Sequence, residues 1–345
     1  YIRLERTQEA RKDLEELEKI APDSSRVLFA KGFLNLQQEQ LKDAQVLLEE
    51  SLRVAPEVLE TELFLGVAHA GLGNLSMSEE YLARVVARVP ENLHARKLLA
   101  RIYFASEKYA EAEAVLEPVY EKLSDDPSLL LLLGKITLAQ KKNDAAVKFL
   151  NQVVRIAPAP LDNVSDQTEL DSTDEKESLE RAARGYPLPI QARILLVLAT
   201  LASNNPDEAF SEAAKFADDF PDLAIARTLK GVVALQQQRP GEAEQFLKQA
   251  LTLNEGDPLA SSYLSRLYLA SNQLDKAKQV YRASIKRFQF HPLPLAGLAA
   301  IAMLEKDSQT AYTLLERWVK YHPRSLSARL MLAQFYLKQK KAKLA

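Results

Sequence analysis

Proline sets a period in this chain. Pro22, Pro56 and Pro90 stand 34 residues apart, Pro90 to Pro158 is twice that interval, and Pro187 to Pro221 and Pro258 to Pro292 repeat it. Self-similarity at such a fixed period marks a stack of identical supersecondary units, and it constrains the fold more than any local propensity does. Within one period the pattern is constant. After Asp23 comes an apolar helix with Val27, Leu28, Phe33 and Leu34, then a polar turn near Gln38 to Gln40. Ala44, Leu47, Leu48, Ser51 and Leu52 follow at i, i+3, i+4, i+7 and i+8, which is one face of a second helix.

Small residues recur where paired helices must approach closely. The first series is Gly32, Gly66, Ala100, Gly134, Gly231, Ser265, Ala299 and Ala333; twelve positions on come Ala44, Ser78, Ala112, Ala146, Ala243, Ala277 and Ala311. Antiparallel helices reach a separation of about 8–10 Å only when no bulky side chain stands at the crossing. Gly134 and Ala146 are thus expected to face each other. Asp126-Pro127, Asn205-Pro206 and Asp257-Pro258 each predict an N-cap followed by Pro at the first helical position. Pro118 falls inside a second helix and is expected to kink it.

This spacing of small and apolar residues resembles the tetratricopeptide repeat (TPR) family over nearly the whole chain. The resemblance implies an all-α, right-handed α-solenoid of antiparallel helix pairs. It is interrupted once, because the period fails between Pro158 and Pro187. The chain then divides into an N-terminal half (1–158), an acidic insert (159–186) and a C-terminal half (187–345). From Leu161 to Glu180 the insert holds eight acidic residues against the single Lys176, too little apolar surface for a long ordered helix. Its far end, Glu175 to Arg184, suits two or three helical turns. The insert reads as a linker, or as a segment that folds back into the solenoid's own groove.

Composition narrows the functional class. A net charge of −2 carries no electrostatic footprint for nucleic acid, and no apolar run is long enough to span a bilayer. Cysteine is absent, which removes disulfides, zinc–thiolate sites and a thiol nucleophile. The ten glycines suggest that few turns need a positive φ. His69, His94, His291 and His322 lack metal-ligand spacing and read as structural, the last two as caps at the ends of second helices. Gly71 to Asn74 reads as an inter-helix turn and not a phosphate loop, and Trp318 as core. No catalytic, cofactor or metal site is expected, and the chain is not expected to be an enzyme.

In the TPR family the first helix of each pair lines the concave face, so the resemblance implies a partner-binding groove. Transferred onto this sequence, it comprises Phe29, Phe33, Leu63, Val67, His94, Lys97, Arg101, Phe104, Lys135, Ile194, Leu198, Thr228, Val232 and Arg266. That groove is apolar with a basic middle at Lys97, Arg101 and Lys135, suiting an acidic or extended protein segment, and the acidic insert is a candidate occupant of the basic patch. Phe29 and Phe33 stand where carboxylate-gripping co-chaperone repeats carry Lys and Asn, which argues against that mode. The Ala-Pro closings at Ala21-Pro22, Ala55-Pro56 and Ala157-Pro158, with the lack of cysteine, resemble bacterial periplasmic TPR lipoproteins of the PEP-CTERM and exopolysaccharide-export type. This implies an envelope scaffold, held at the outer membrane by a lipid outside this segment. The alternative is a cytoplasmic adaptor regulating an enzyme or a transcription factor. The chain opens on Tyr1 and closes partway through a repeat, as a segment of a longer protein would.

Overall fold

The computed structural model describes residues 7–120, 125–157 and 175–338. Among them are nineteen α-helices and no strand. In chain order they are α1 (Thr7–Ile20), α2 (Ser25–Gln37), α3 (Leu41–Val54), α4 (Leu59–Gly71), α5 (Leu75–Arg88), α6 (Leu93–Ala105), α7 (Tyr109–Leu116), α8 (Pro127–Ala139), α9 (Asn143–Ile156) and α10 (Glu175–Arg184). There follow α11 (Leu188–Ala202), α12 (Pro206–Asp219), α13 (Ala224–Gln236), α14 (Pro240–Leu253), α15 (Pro258–Ala270), α16 (Leu274–Arg287), α17 (Pro292–Leu304), α18 (Ser308–Tyr321) and α19 (Leu326–Lys338).

They form two compact units, 1–140 and 141–345. The division falls between α8 and α9. The reason lies in the packing of the second unit. There α9 lies against α11, with Asn143 Nδ2 donating to the Ala202 carbonyl at 2.7 Å and Ser203 Oγ to Asp144 Oδ1 at 3.0 Å. The insert therefore leaves α9 and α11 stacked as neighbours. Gly134 and Ala146 belong to different units. Residues 158–174, most of the acidic insert, lie outside the described residues.

Each crossing has the same anatomy. An ideal Cβ on Gly32 would stand 2.7 Å from Leu48 Cγ, one on Gly66 2.7 Å from Leu82 Cγ, and one on Gly231 2.8 Å from Leu247 Cγ. The leucine sixteen residues on drops into the space glycine leaves, and Leu48, Leu82 and Leu247 are almost fully buried. Where Ser78 replaces the usual Ala, its hydroxyl donates to the Gly66 carbonyl at 2.7 Å.

The turn between the two helices of a pair repeats as closely. Glu39, Gly73, Glu107, Lys141, Asn204, Gln238, Asn272 and Lys306 all have φ between 58° and 78°. The next backbone N–H reaches back five residues, as Gln40 to Asn35, Asn74 to His69 and Lys108 to Tyr103 show at 2.8–2.9 Å. This is the Schellman closure, which needs one left-handed residue per turn. The expectation of few positive-φ turns from the glycine count was wrong: Glu, Lys, Gln and Asn hold seven of these eight positions.

The period hides two seats for proline. Pro22, Pro56 and Pro90 lie in turns after second helices, whereas Pro258 and Pro292 occupy the first turn of α15 and α17. Pro118 shortens α7 to eight residues, and the chain continues as a 3-10 turn, Glu117–Val119. Beside that break the Val115 carbonyl accepts from Arg96 Nη1 at 2.6 Å, while Arg96 Nε holds the Pro90 carbonyl. Asp126 and Asp257 cap their helices, accepting from Leu129 N at 3.1 Å and Ala260 N at 2.8 Å. Asn205 makes no cap bond; its Nδ2 donates to Glu208 Oε2 instead. His291 is likewise not a C-terminal cap. It opens α17, its Nδ1 accepting from Leu293 N at 3.3 Å. Trp318 is buried in the core.

Candidate functional site

Successive first helices touch their own kind in each unit: α2 with α4, α4 with α6 and α6 with α8, then α11 with α13, α13 with α15 and α15 with α17. No comparable contact joins successive second helices among the described residues. First helices therefore form the inner layer of each stack, and the faces they turn away from the second helices are the two candidate grooves.

In the first unit the inner face is open and aromatic. Phe29 and Phe33 stack along α2 with ring centroids 6.3 Å apart, and Phe64 of α4 leans on both, 5.8 Å from Phe29 and 4.6 Å from Phe33. All three rings are half-buried. Val67 and Phe104 are half-buried as well, Phe104 packing on Tyr109 at 5.5 Å, and His94 and Arg101 on α6 are exposed. Leu63, expected in the same groove, lies deeper. It is buried in the core with Leu82, Val85, Ala95, Leu99 and Ile102, because the register of α4 turns it toward α5 and α6. Phe64, its neighbour, is half-buried beside Phe29 and Phe33. The sequence signal was a third phenylalanine on the adjacent first helix.

The basic middle is also revised. Lys97 Nζ bonds to Asp126 Oδ2, so this cation fastens α6 to the N-cap of α8. Asp126 feels burial raising its pKa, but bonds from Lys97, Ser128 and the Leu129 N–H prevail and hold it at about 2. Lys135 is half-buried on α8 and engaged within the chain, which leaves Arg101 as the exposed member of the trio.

In the second unit most of the expected groove residues are buried. Ile194, Leu198, Thr228 and Val232 are at most 6 % exposed, so these expected contact residues do not face open solvent. The Thr228 hydroxyl is turned back onto its own helix, donating to the Ala224 carbonyl at 3.0 Å. Beside them α10 packs on α11 and reaches α15, two repeats further along. Leu179, Ala182 and Ala183 are the buried face of α10, and Tyr186, two residues past its end, is buried as well. An open cleft of about 300 Å³ lies beside Leu179, lined by Leu198, Leu201 and Ala202 of α11, Asn204 and Pro206 just after it, Val232 and Gln236 of α13 and Tyr263 of α15. Arg266 on α15 is exposed.

Among the described residues no cluster of His, Cys, Asp or Glu has the makings of a metal site, and no helix is long and apolar enough to cross a membrane. One buried polar group stands apart. Glu62 on α4 is almost fully buried, with Arg84 at 3.7 Å and Arg88 at 3.8 Å on α5, both guanidiniums partly in solvent.

These features define a helical-hairpin repeat protein whose surfaces of interest are grooves. A tetratricopeptide repeat model matches residues 35–102, 70–119, 103–163 and 234–301, and a second matches 194–258. The matches cover more than half of the sequence, and the chain belongs to the tetratricopeptide repeat family. The crystal structure of a tetratricopeptide repeat protein from Parabacteroides merdae ATCC 43184 superposes with a TM-score of 0.53 at 13 % identity, over 80 % of this chain and 98 % of that one. PilW, described as a widely conserved type IV pilus biogenesis factor, gives 0.44 at 21 % identity, over 69 % and 97 %. The APC/C heterotetramer Cut9–Hcn1 gives 0.44 at 12 %, over 95 % and 75 %. At these identities the likeness is one of fold. No curated protein matches the sequence.

Proposed function

We propose that this chain is a non-catalytic scaffold that holds a segment of another protein against the inner face of its first unit. The family's general use as a protein-interaction scaffold supports the class. One observation carries the location: the half-buried trio Phe29, Phe33 and Phe64 lies across two adjacent first helices, while a separate set of residues builds the core beneath. Aromatic rings offer large contact area at little cost in side-chain entropy, which is why they concentrate at the energetic centres of interfaces. Arg101 and His94 on the neighbouring α6 give an extended segment with acidic residues a place to end.

The setting we propose is bacterial cell-envelope assembly, of the kind that serves exopolysaccharide export. Its support is the sequence flavour of the repeats, their Ala-Pro closings and the absence of cysteine. The test uses the native gene product, tagged and recovered from its own cells. Phe33→Asp with Phe64→Asp should lose the co-purifying partners, whereas Val46→Asp on the exposed face of α3 should keep them. Equal recovery from both variants would remove the groove from the account. A product found wholly in the cytoplasmic fraction would remove the envelope setting and leave the scaffold standing.

A further inference from the structure

The chain supplies an occupant for its second groove, and that occupant fits imperfectly. Along α10 the buried residues Leu179, Ala182 and Ala183 fall at i, i+3 and i+4, one narrow apolar stripe on a helix otherwise made of Glu, Lys, Arg and Ser, and Tyr186 in the turn that follows is buried too. The helix belongs to no hairpin. It lies on α11 and touches α15, and residues of α13 line the cleft at Leu179 between them. This is the geometry of an amphipathic helix in an apolar groove, read by anchors at helical spacing. Yet the fit at Leu179 leaves an open cleft at its side. The cleft is about 300 Å³; Leu198, Leu201, Val232 and Tyr263 line it, with Ala202, Asn204 and Gln236 exposed at its edge and Pro206 beside them. A larger anchor would gain contacts that Leu179 forgoes.

We infer that the groove of the second unit is a receptor for an amphipathic helix from another protein, and that α10 is its built-in stand-in. The partner helix carries small residues where α10 has Ala182 and Ala183, and an aromatic anchor in place of Leu179. This rests on the scaffold reading and extends it to a second site. The underfilled anchor gives the stand-in a reason to be displaceable. A tethered ligand acts at an effective concentration in the millimolar range. A free helix at about 1 μM therefore displaces it only with an intrinsic fit roughly a thousandfold better. Filling the anchor cleft is the route the structure offers to that gain.

The test needs only this chain and two synthetic peptides: the sequence of residues 175–186, and the same peptide carrying Leu179→Trp. Each is labelled and titrated by fluorescence anisotropy against the wild-type chain and against Ala183→Asp, which places a charge on the fully buried stripe of α10. Ala183→Asp should bind the tryptophan peptide at least tenfold more tightly than wild type does, and at least tenfold more tightly than it binds the leucine peptide. Adding Leu201→Asp on the cleft wall should abolish binding. Equal binding by wild type and Ala183→Asp, or none by either while the variant keeps the wild-type melting curve, overturns the inference. Should Ala183→Asp unfold, hydrogen exchange on the wild-type chain decides. Saturating tryptophan peptide should speed exchange of amides 179–186 at least fivefold, and unchanged protection overturns the inference. No arm uses Phe33 or Phe64, so failure here leaves the first groove untouched, and failure there leaves this one.

Discussion

Glycine at a helix crossing and glycine on a helix surface should respond to alanine with opposite signs. In an ordinary helical setting Gly→Ala stabilises by about 0.4–1 kcal/mol, because it restricts the unfolded chain. Gly241, in the first turn of α14, has no atom within 4 Å of an added Cβ, so Gly241→Ala should realise that gain. At Gly66 the same methyl would sit 2.7 Å from Leu82 Cγ and 2.9 Å from Leu82 Cδ2. Carbon atoms pack best at about 3.5–4.0 Å, so the overlap is about 1 Å. It falls on the branch carbon of a side chain that is 1 % exposed, so Leu82 must move as a whole. Overpacking of this kind costs about 1–3 kcal/mol, which exceeds the helix gain. Gly66→Ala should therefore destabilise by about 1–2 kcal/mol. Leu82→Ala alone should cost about 2–5 kcal/mol. On that background the clash is gone, and Gly66→Ala should become neutral or stabilising, with a favourable coupling of about 1–3 kcal/mol. Urea denaturation followed by circular dichroism measures the totals. Hydrogen exchange at α4 and α5 measures the local change, because repeat arrays do not unfold as one unit. A Gly66→Ala chain as stable as wild type, or a coupling near zero, would refute this view of the crossing.

The Lys97–Asp126 tie predicts an acid transition. The folded Asp126 carboxyl sits at about 2, below an unfolded value of about 3.9, so its contribution is present above about pH 4 and is lost as pH falls toward 2. Asp126→Asn should flatten that part of the acid-denaturation profile, and an identical profile would count against the tie. At Glu62, partly solvated Arg84 and Arg88 leave no charge stranded when the carboxylate goes, so Glu62→Met should keep or raise the melting temperature. A fall of several degrees would mean that the ion pairs stabilise the α4–α5 contact. Glu107 carries a Cβ at φ 59° in its turn, a conformation that costs an L-residue about 1–2 kcal/mol, so Glu107→Gly should be neutral to stabilising by thermal melt despite the extra freedom of the unfolded chain.

Much of this fold is legible in one sequence because each repeat restates the same packing problem. Pro118 ending α7, Trp318 in the core, the caps at Asp126 and Asp257, and the helix over Glu175–Arg184 follow from local chemistry alone. What escaped depends on contacts between repeats. The pairing of Lys97 with Asp126 spans 29 residues, and no local pattern reveals whether an inner-face lysine is free or tied. Leu63 and Phe64 are adjacent in sequence, and a rotation of α4 by one residue decides which meets the core. The left-handed turn residues were hidden because polar side chains, not glycine, occupy most of them. Ile194, Leu198, Thr228 and Val232 carry the family's groove positions yet are buried, and Leu198 and Val232 line the cleft beside Leu179 of α10, a helix outside the repeat frame.

The central claim is that the inner face of the first unit is where a partner sits. Site-specific photocrosslinking in the native cells tests it most directly, with benzoylphenylalanine placed at Phe33 on the inner face of α2 and, separately, at Val46, which is 64 % exposed on α3. The account predicts a discrete crosslinked partner from position 33 and none from position 46. Crosslinks from position 46 alone, or the same products from both, would contradict it.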